Sequence, residues 1–292
     1  MSIYNHIKFP HPNKNKNEEF IFEDKLFKNV KNRNETFEVL EFSKNDKGWT
    51  DELNEMSEKY IDFNHPIDDA SRELCLEFLE KFDKSKDKVV LEVGCSNGRL
   101  INSIKKKIDY KYIGSDAVKN KILLLSKKYE DVPFLIFDLL KNPFKKSICN
   151  TLVMLNVLEH IENDNLALLQ ANKLLKENGI LILEVPSGKF LYDDYDKKLL
   201  HFRRYQMNEL VKKIENAGFE IEYKTHLGFI IFPVFAVVKL FNKIFKSKNI
   251  VTEQANASSN ILLKILLSIE KKVRKFYLPF GIRCYVCARK KL

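Results

Sequence analysis

Hydrophobic positions along this chain change rhythm near residue 88. Residues 1–45 are rich in Asn, Lys and Glu, with His11–Glu19 (HPNKNKNEE) the most polar piece, and read as a loose or peripheral polar extension. Residues 46–85 read as a helical cap. One helix starts within Gly48-Trp49-Thr50-Asp51, and a second runs from Ile67 to Phe82 with Leu74, Phe78, Leu79 and Phe82 at helical spacing. From Lys88 onward, short apolar runs alternate with helical patterns. Strands are predicted at 88–93, Tyr112–Asp116, Val132–Phe137, Ile148–Leu155, Gly179–Val185, Phe219–Lys224 and Gly281–Arg289. Helices are predicted at Ile122–Tyr129, Asn163–Lys176 and Asn208–Ala217. This alternation predicts an α/β fold with a seven-stranded, mostly parallel sheet and helices on both faces.

The last two strands are separated by an insert, residues 225–280. It holds an uncharged apolar run, Leu227–Val238, interrupted by Pro233. It also holds an amphipathic helix, Asn260–Tyr277, with Ile261, Leu262, Ile265, Leu266, Ile269 and Val273 on its apolar side. The domain reading is therefore a core over 86–224, the insert over 225–280, and a closing strand with a basic tail over 281–292.

Composition narrows the class. Across 292 residues, 45% are hydrophobic and 22 are Phe, enough for a full core and too many for a disordered chain. Five Cys do not make a disulfide framework, and the first residues lack the apolar stretch of a signal peptide. A reducing, cytoplasmic setting is the expectation. No apolar run reaches the roughly 20 residues of a membrane-spanning helix. The net charge is +10, and Lys239–Leu292 carries thirteen Lys and Arg against Glu253 and Glu270. Apolar positions bordered by Lys239, Lys243, Lys246 and Lys248 predict a peripheral contact with an anionic membrane surface, at the inner membrane face. Nucleic acid is the less expected partner, because no RNA-binding module is legible.

The densest chemistry is Glu92-Val-Gly94-Cys95-Ser96-Asn97-Gly98, directly after the first core strand. In open parallel sheets, ligands bind beyond the carboxyl ends of the strands. A tight turn there needs the backbone freedom of Gly94 and Gly98. Asp116 ends the next strand, 22 residues after Gly94, a spacing suited to a carboxylate that accepts both ribose hydroxyls. Asp138 ends the third strand. The turn is Gly-x-Ser-x-Gly, with Glu92 in front, and does not suit a pyrophosphate.

These residues resemble the class I methyltransferases that depend on S-adenosylmethionine. Glu92-x-Gly94-x-Ser96-x-Gly98 resembles their glycine-rich loop, with Cys95 inside it. Asp116, followed by Ala117, matches the ribose acid, and Asp138, beside Leu139, the adenine-contacting acid. Asn156-Val157-Leu158-Glu159-His160 matches the segment near the sulfonium. The block His201-Phe202-Arg203-Arg204-Tyr205 resembles a bacterial subset linked to glycan or lipid biosynthesis. The resemblance implies a Rossmann-like fold, S-adenosyl-L-methionine as cofactor, and methylation, first at oxygen, of a small-molecule or lipid- or glycan-linked acceptor. An RNA methyltransferase and a non-catalytic cofactor-binding protein at a membrane are the alternatives. His160 is the candidate catalytic base, and His201, Arg203, Arg204 and Tyr205 are candidate substrate contacts. No metal is expected, since one His and one carboxylate make a poor site. Cys284 and Cys287 fall on opposite faces of a strand and form neither a redox nor a metal pair.

Overall fold

The Asn- and Lys-rich N-terminal stretch is folded, which corrects the loose extension expected for it. The computed structural model describes residue 4 and residues 6–42, 65–86, 88–107, 109–245, 257–274 and 277–291. Phe9–Pro10 (β1), Glu19–Glu23 (β2), Leu26–Asn29 (β3) and Thr36–Phe37 (β4) form an antiparallel sheet in that order. Phe20 and Phe22 alternate inward along β2. Asp24 and Lys25 join β2 to β3 with φ of 49° and 68°, the mirror-image turn that suits strand twist. The buried rings of Phe9, Phe20, Phe22 and Phe27 then belong to the main core.

Leu40–Glu41 (β5) leaves this layer and joins the main sheet parallel to its edge. The helix expected near Gly48 lies outside the described residues. Pro66–Phe82 (α1) starts with Pro in its first turn, where a missing N–H is harmless, and with Asp68 and Asp69 near its positive end. The core follows as Val89–Val93 (β6), Arg99–Lys107 (α2), Lys111–Asp116 (β7), Lys119–Lys128 (α3), Phe134–Ile136 (β8), Cys149–Leu155 (β9), Asp164–Leu174 (α4) and Leu175–Pro186 (β10). It continues as Asp194–Lys198 (α5), Met207–Asn216 (α6), Phe219–Leu227 (β11), Phe232–Phe245 (α7), Ala257–Val273 (α8) and Arg283–Lys290 (β12).

The strand order is β11-β12-β10-β9-β6-β7-β8-β5. Among the described residues the sheet therefore has eight strands rather than the expected seven, β5 being the addition. β12 runs antiparallel between β10 and β11, while the other neighbours pair parallel. β6, at the centre, is buried at all five positions, as a parallel strand covered on both faces must be. One face packs against α4, α6 and the N-terminal aromatic layer; the other packs against α1, α2 and α3. Cys284 and Cys287 lie in these two separate layers, and all five cysteines are buried thiols.

Two details of the insert become visible only in the structure. Pro233 does not break the apolar run; it is the second residue of α7, where helices accept proline. α8 spans Ala257–Val273; among its described side chains Leu267 and Glu270 are buried, with Arg274 buried just past its end, while Ile261, Leu262, Ile265, Ile269 and Val273 are exposed. A buried acid decides that orientation: Glu270 accepts hydrogen bonds from the backbone N–H groups of Gly228 (2.8 Å) and Ile230 (3.2 Å). No helix among the described residues is long and apolar enough to cross a membrane.

Candidate functional site

At the carboxyl end of β6 the chain must turn sharply toward α2. Gly94, Ser96 and Gly98 all take left-handed φ values, +79°, +45° and +71°. The turn is pinned by the Ser115 carbonyl, which accepts from Gly94 N–H (2.8 Å) and Cys95 N–H (2.9 Å). There is no room for a side chain at Gly94, since a Cβ would sit 2.4 Å from Val157 Cγ2. The turn after β6 and the segment after β9 are thus packed directly on each other.

Asp116 ties the turn to its neighbour. Its Oδ2 accepts from Ser96 N–H and its Oδ1 from Val118 N–H, both at 2.9 Å, with Ala117 bracketed between. Each carboxylate oxygen has further acceptor capacity beyond one backbone bond, so the group can still meet two hydroxyls. Asp138 starts a 3-10 turn, Leu139–Lys141, by accepting from Leu140 N–H at 2.9 Å. Asp116 and Asp138 therefore stand at the ends of adjacent strands β7 and β8, beside the glycine turn.

Glu92 stands directly before this turn, at the end of β6, and its carbonyl accepts from Ser115 Oγ at 2.9 Å. It is buried in the sheet and accepts a hydrogen bond from the Tyr112 hydroxyl. Burial pushes its carboxyl up to about 8, opposed in part by that hydroxyl. From there Glu92 supports the strand end beneath the turn.

Beyond β9, Asn156 has φ of +54° and is locked to β10. Its N–H donates to Glu184 O (3.0 Å) and its Nδ2 to Glu184 Oε1 (2.7 Å). Glu184 also accepts from Ser71 Oγ and from Arg283 (2.7 Å), whose other arm reaches Asp68 at 2.5 Å. Sequence reasoning missed this buried network; an acid inside the apolar run Ile180–Pro186 was its one signal.

Val157 leads into a 3-10 turn, Leu158–His160. The His160 ring sits 4.7 Å, centroid to centroid, from that of His201. Burial, and then His201, push the His160 imidazole down to about 3. An imidazole held that low is a weaker proton acceptor than a free one.

The segment after β10 folds over this region. A capping box between Asp193 and Asp196 starts α5. Asp196 is fully buried and is met by His201 Nδ1 (2.9 Å), Arg204 Nε (2.8 Å) and Lys239 Nζ (3.3 Å). Burial alone would raise its pKa, but the hydrogen bonds from His201 and Arg204 hold its carboxyl well below the usual carboxylate range. Lys239 belongs to α7, so the insert is latched onto this segment. The expected substrate contacts separate accordingly. Arg204 is buried and committed to Asp196 and the Ser187 carbonyl. Arg203 pairs with Asp164 at 2.8 Å and donates to the Glu162 carbonyl. Tyr205 is buried and donates to Asp164. Of the four, His201 is the one brought beside His160. The other three order the segment, because their donors meet internal acceptors.

A family model described as a methyltransferase domain matches residues 63–224, from the start of α1 into β11. An uncharacterised protein of Methanocaldococcus jannaschii is 28% identical over 185 residues, which are 58% of this chain and 78% of that protein. Phosphoethanolamine N-methyltransferase 2 of Haemonchus contortus, solved with phosphomonomethylethanolamine and S-adenosylhomocysteine, superposes with a TM-score of 0.51 at 14% identity over 75% of this chain. The match spans about half of that protein's length, 53%. The [4+2]-cyclase SpnF superposes with a TM-score of 0.55 at 16% identity, covering 82% of this chain and 91% of that one. Such likenesses show the fold; the cyclase is a reminder that a fold alone does not name a reaction. The family match covers more than half of the chain and includes the glycine turn, both strand-end acids and the Asn156–His160 segment. The chain therefore belongs to the methyltransferase-domain family, among the class I enzymes that depend on S-adenosylmethionine.

Proposed function

We propose that this protein methylates an oxygen of a small or lipid-linked acceptor. The observation that carries the cofactor half of this reading is Asp116, hydrogen-bonded into the Gly94–Gly98 turn while ending the adjacent strand. Its carboxylate accepts the ribose hydroxyls. Gly94, Cys95, Ser96 and Gly98 let the cofactor approach the backbone, Asp138 and Leu139 border the adenine, and Asn156 and Val157 flank the reacting end. Bound S-adenosylmethionine supplies a methyl group on a positively charged sulfur. The protein's part is alignment and exclusion of water. The acceptor enters beside His160 and His201, under the α5 segment and α7.

Calorimetric titration with S-adenosylhomocysteine tests this, with NAD as control. Micromolar affinity, about −8 kcal/mol, is expected. Asp116→Ala is expected to weaken it at least about 100-fold, or roughly 2.7 kcal/mol. A folded protein that ignores S-adenosylhomocysteine, or an Asp116→Ala variant that binds like the wild type, overturns the assignment.

A membrane-surface setting is supported by one further observation. Val234, Val237, Leu240 and Phe241 of α7 are exposed, as are Ile261, Leu262, Ile265 and Ile269 of α8. Part of the local basic surplus is neutralised inside the protein: Lys239 meets Asp193, Lys271 meets Glu73 and Glu77, and Arg289 meets Glu222. Lys264 and Lys272 stay exposed beside the apolar positions. Lys246 and Lys248 lie outside the described residues. An apolar face fringed by cations fits the interface of an anionic bilayer. Sedimentation with phosphatidylglycerol vesicles should fall about tenfold in a Val237→Glu/Ile265→Glu variant, without change in S-adenosylhomocysteine affinity. A salt-sensitive shift with RNA and none with vesicles would favour the RNA alternative.

A further inference from the structure

We propose that Glu159, His160 and His201 form a binding site for a divalent transition-metal cation. Three observations carry it together. First, the ligand atoms offered by these side chains all lie within 4.8 Å of one another, as three ligands of one ion must. Second, Glu159 is fully buried, and among the described residues neither of its carboxylate oxygens has a hydrogen-bond partner. An unpaired buried carboxylate is costly unless something positive meets it. Its own backbone is well satisfied, since the Glu159 carbonyl accepts from Phe202 N–H at 2.8 Å, so the exception is confined to the side chain. Third, His201 is set up from behind. Nδ1 donates to Asp196, which is itself held by Arg204 and Lys239, and this puts the ring lone pair on Nε2. A carboxylate behind a histidine is the usual outer support of a metal-bound imidazole.

Two imidazoles and one carboxylate suit ions such as Zn²⁺ or Fe²⁺ rather than Mg²⁺ or Ca²⁺, which prefer all-oxygen shells. Three protein ligands leave coordination positions open to an oxygen of water or of a hydroxylated acceptor. That acceptor role rests on the reading of the preceding subsection; the cation site does not. In this arrangement His160 is a ligand, not a base.

The protein has a comparison cluster of its own. His11, Glu18 and Glu35 are also close together, but their carboxylates accept from Asn29, and Glu35 also from Lys16. That cluster is already satisfied and is not expected to compete.

The test is titration of chelator-stripped full-length protein with Co²⁺, followed by its visible absorption, and with Zn²⁺, followed by calorimetry. One equivalent is expected to bind. Glu159→Gln and His201→Gln, on two different elements, are each expected to weaken binding by more than the roughly 10–100-fold caused even by outer-shell changes. His11→Gln is expected to bind as the wild type does. Zn²⁺ should raise the melting temperature of the wild type and of His11→Gln, but not of the two ligand variants. S-adenosylhomocysteine binding by the ligand variants certifies that they are folded. A wild-type protein that takes up neither ion, or ligand variants that bind like the wild type, overturns the proposal. Cation binding with no S-adenosylhomocysteine binding by any variant would leave this site standing and sink the reading of the cofactor edge.

Discussion

Gly94→Ala is expected to remove cofactor binding almost completely while the protein still folds. Two penalties coincide at this position. The backbone sits at φ +79°, where a Cβ costs about 1–2 kcal/mol. The same Cβ would lie 2.4 Å from Val157 Cγ2, so the turn and the segment after β9 must move apart. The fold loses about 2 kcal/mol, whereas the cofactor loses the surface it lies on, and S-adenosylhomocysteine affinity should drop at least 100-fold, about 2.7 kcal/mol. Adding Val157→Ala removes the clash but not the backbone strain, so part of the affinity should return. Calorimetry on the two single variants and the double variant reads this directly. A Gly94→Ala protein that binds normally would show that the turn does not meet the ligand.

Arg283→Met is expected to cause a still larger loss, but in stability. Arg283 lies between Glu184, fully buried, and Asp68, with one arm at 2.7 Å from the first and the other at 2.5 Å from the second. Taking away one partner strands the other charge, an effect of about 3–5 kcal/mol in buried pairs. Urea unfolding should show that deficit, and a double Arg283→Met/Glu184→Gln variant should recover part of it, because the two sites are coupled. A deficit below about 1 kcal/mol would mean that water screens the pair. The network also holds Asn156 in its left-handed conformation, so instability and loss of cofactor binding should appear together.

The parts of the fold legible in the sequence are those where one force dominates. β6, Leu152–Leu155 of β9 and Ile180–Leu183 of β10 are dominated by apolar residues because both faces of a parallel strand are covered, and Asp116 and Asp138 mark the ends of β7 and β8, on the side where ligands bind in such sheets. The N-terminal sheet was illegible because the two-residue rhythm of Phe20 and Phe22 is short and surrounded by Asn, Lys and Glu. The orientation of α8 was not legible because periodicity shows only that apolar positions share a side, whereas Glu270 fixes the helix by accepting from Gly228 and Ile230. At the site, Glu159 and His160 are neighbours in sequence, but His201 reaches them only through the fold of the α5 segment. Arg203 and Arg204 looked available for substrate because their partners, Asp164 and Asp196, are chosen by tertiary structure.

The insert has a further consequence, for evolution. β11 and β12 are antiparallel neighbours, with Leu227 paired to Arg283 and the Ile282 N–H donating to the Leu227 carbonyl at 2.9 Å. Topologically, everything between those residues is the loop of a single hairpin. Lengthening a hairpin loop from a handful of residues to this size costs only about 2 kcal/mol in closure entropy. The length of the loop can therefore change without altering the pairing of β11 with β12, as long as the contacts of Lys239 with Asp193 and Asp196 and of Glu270 with Gly228 and Ile230 are kept or replaced. A lineage that keeps its cofactor edge intact can therefore vary the length of this one loop at small entropic cost.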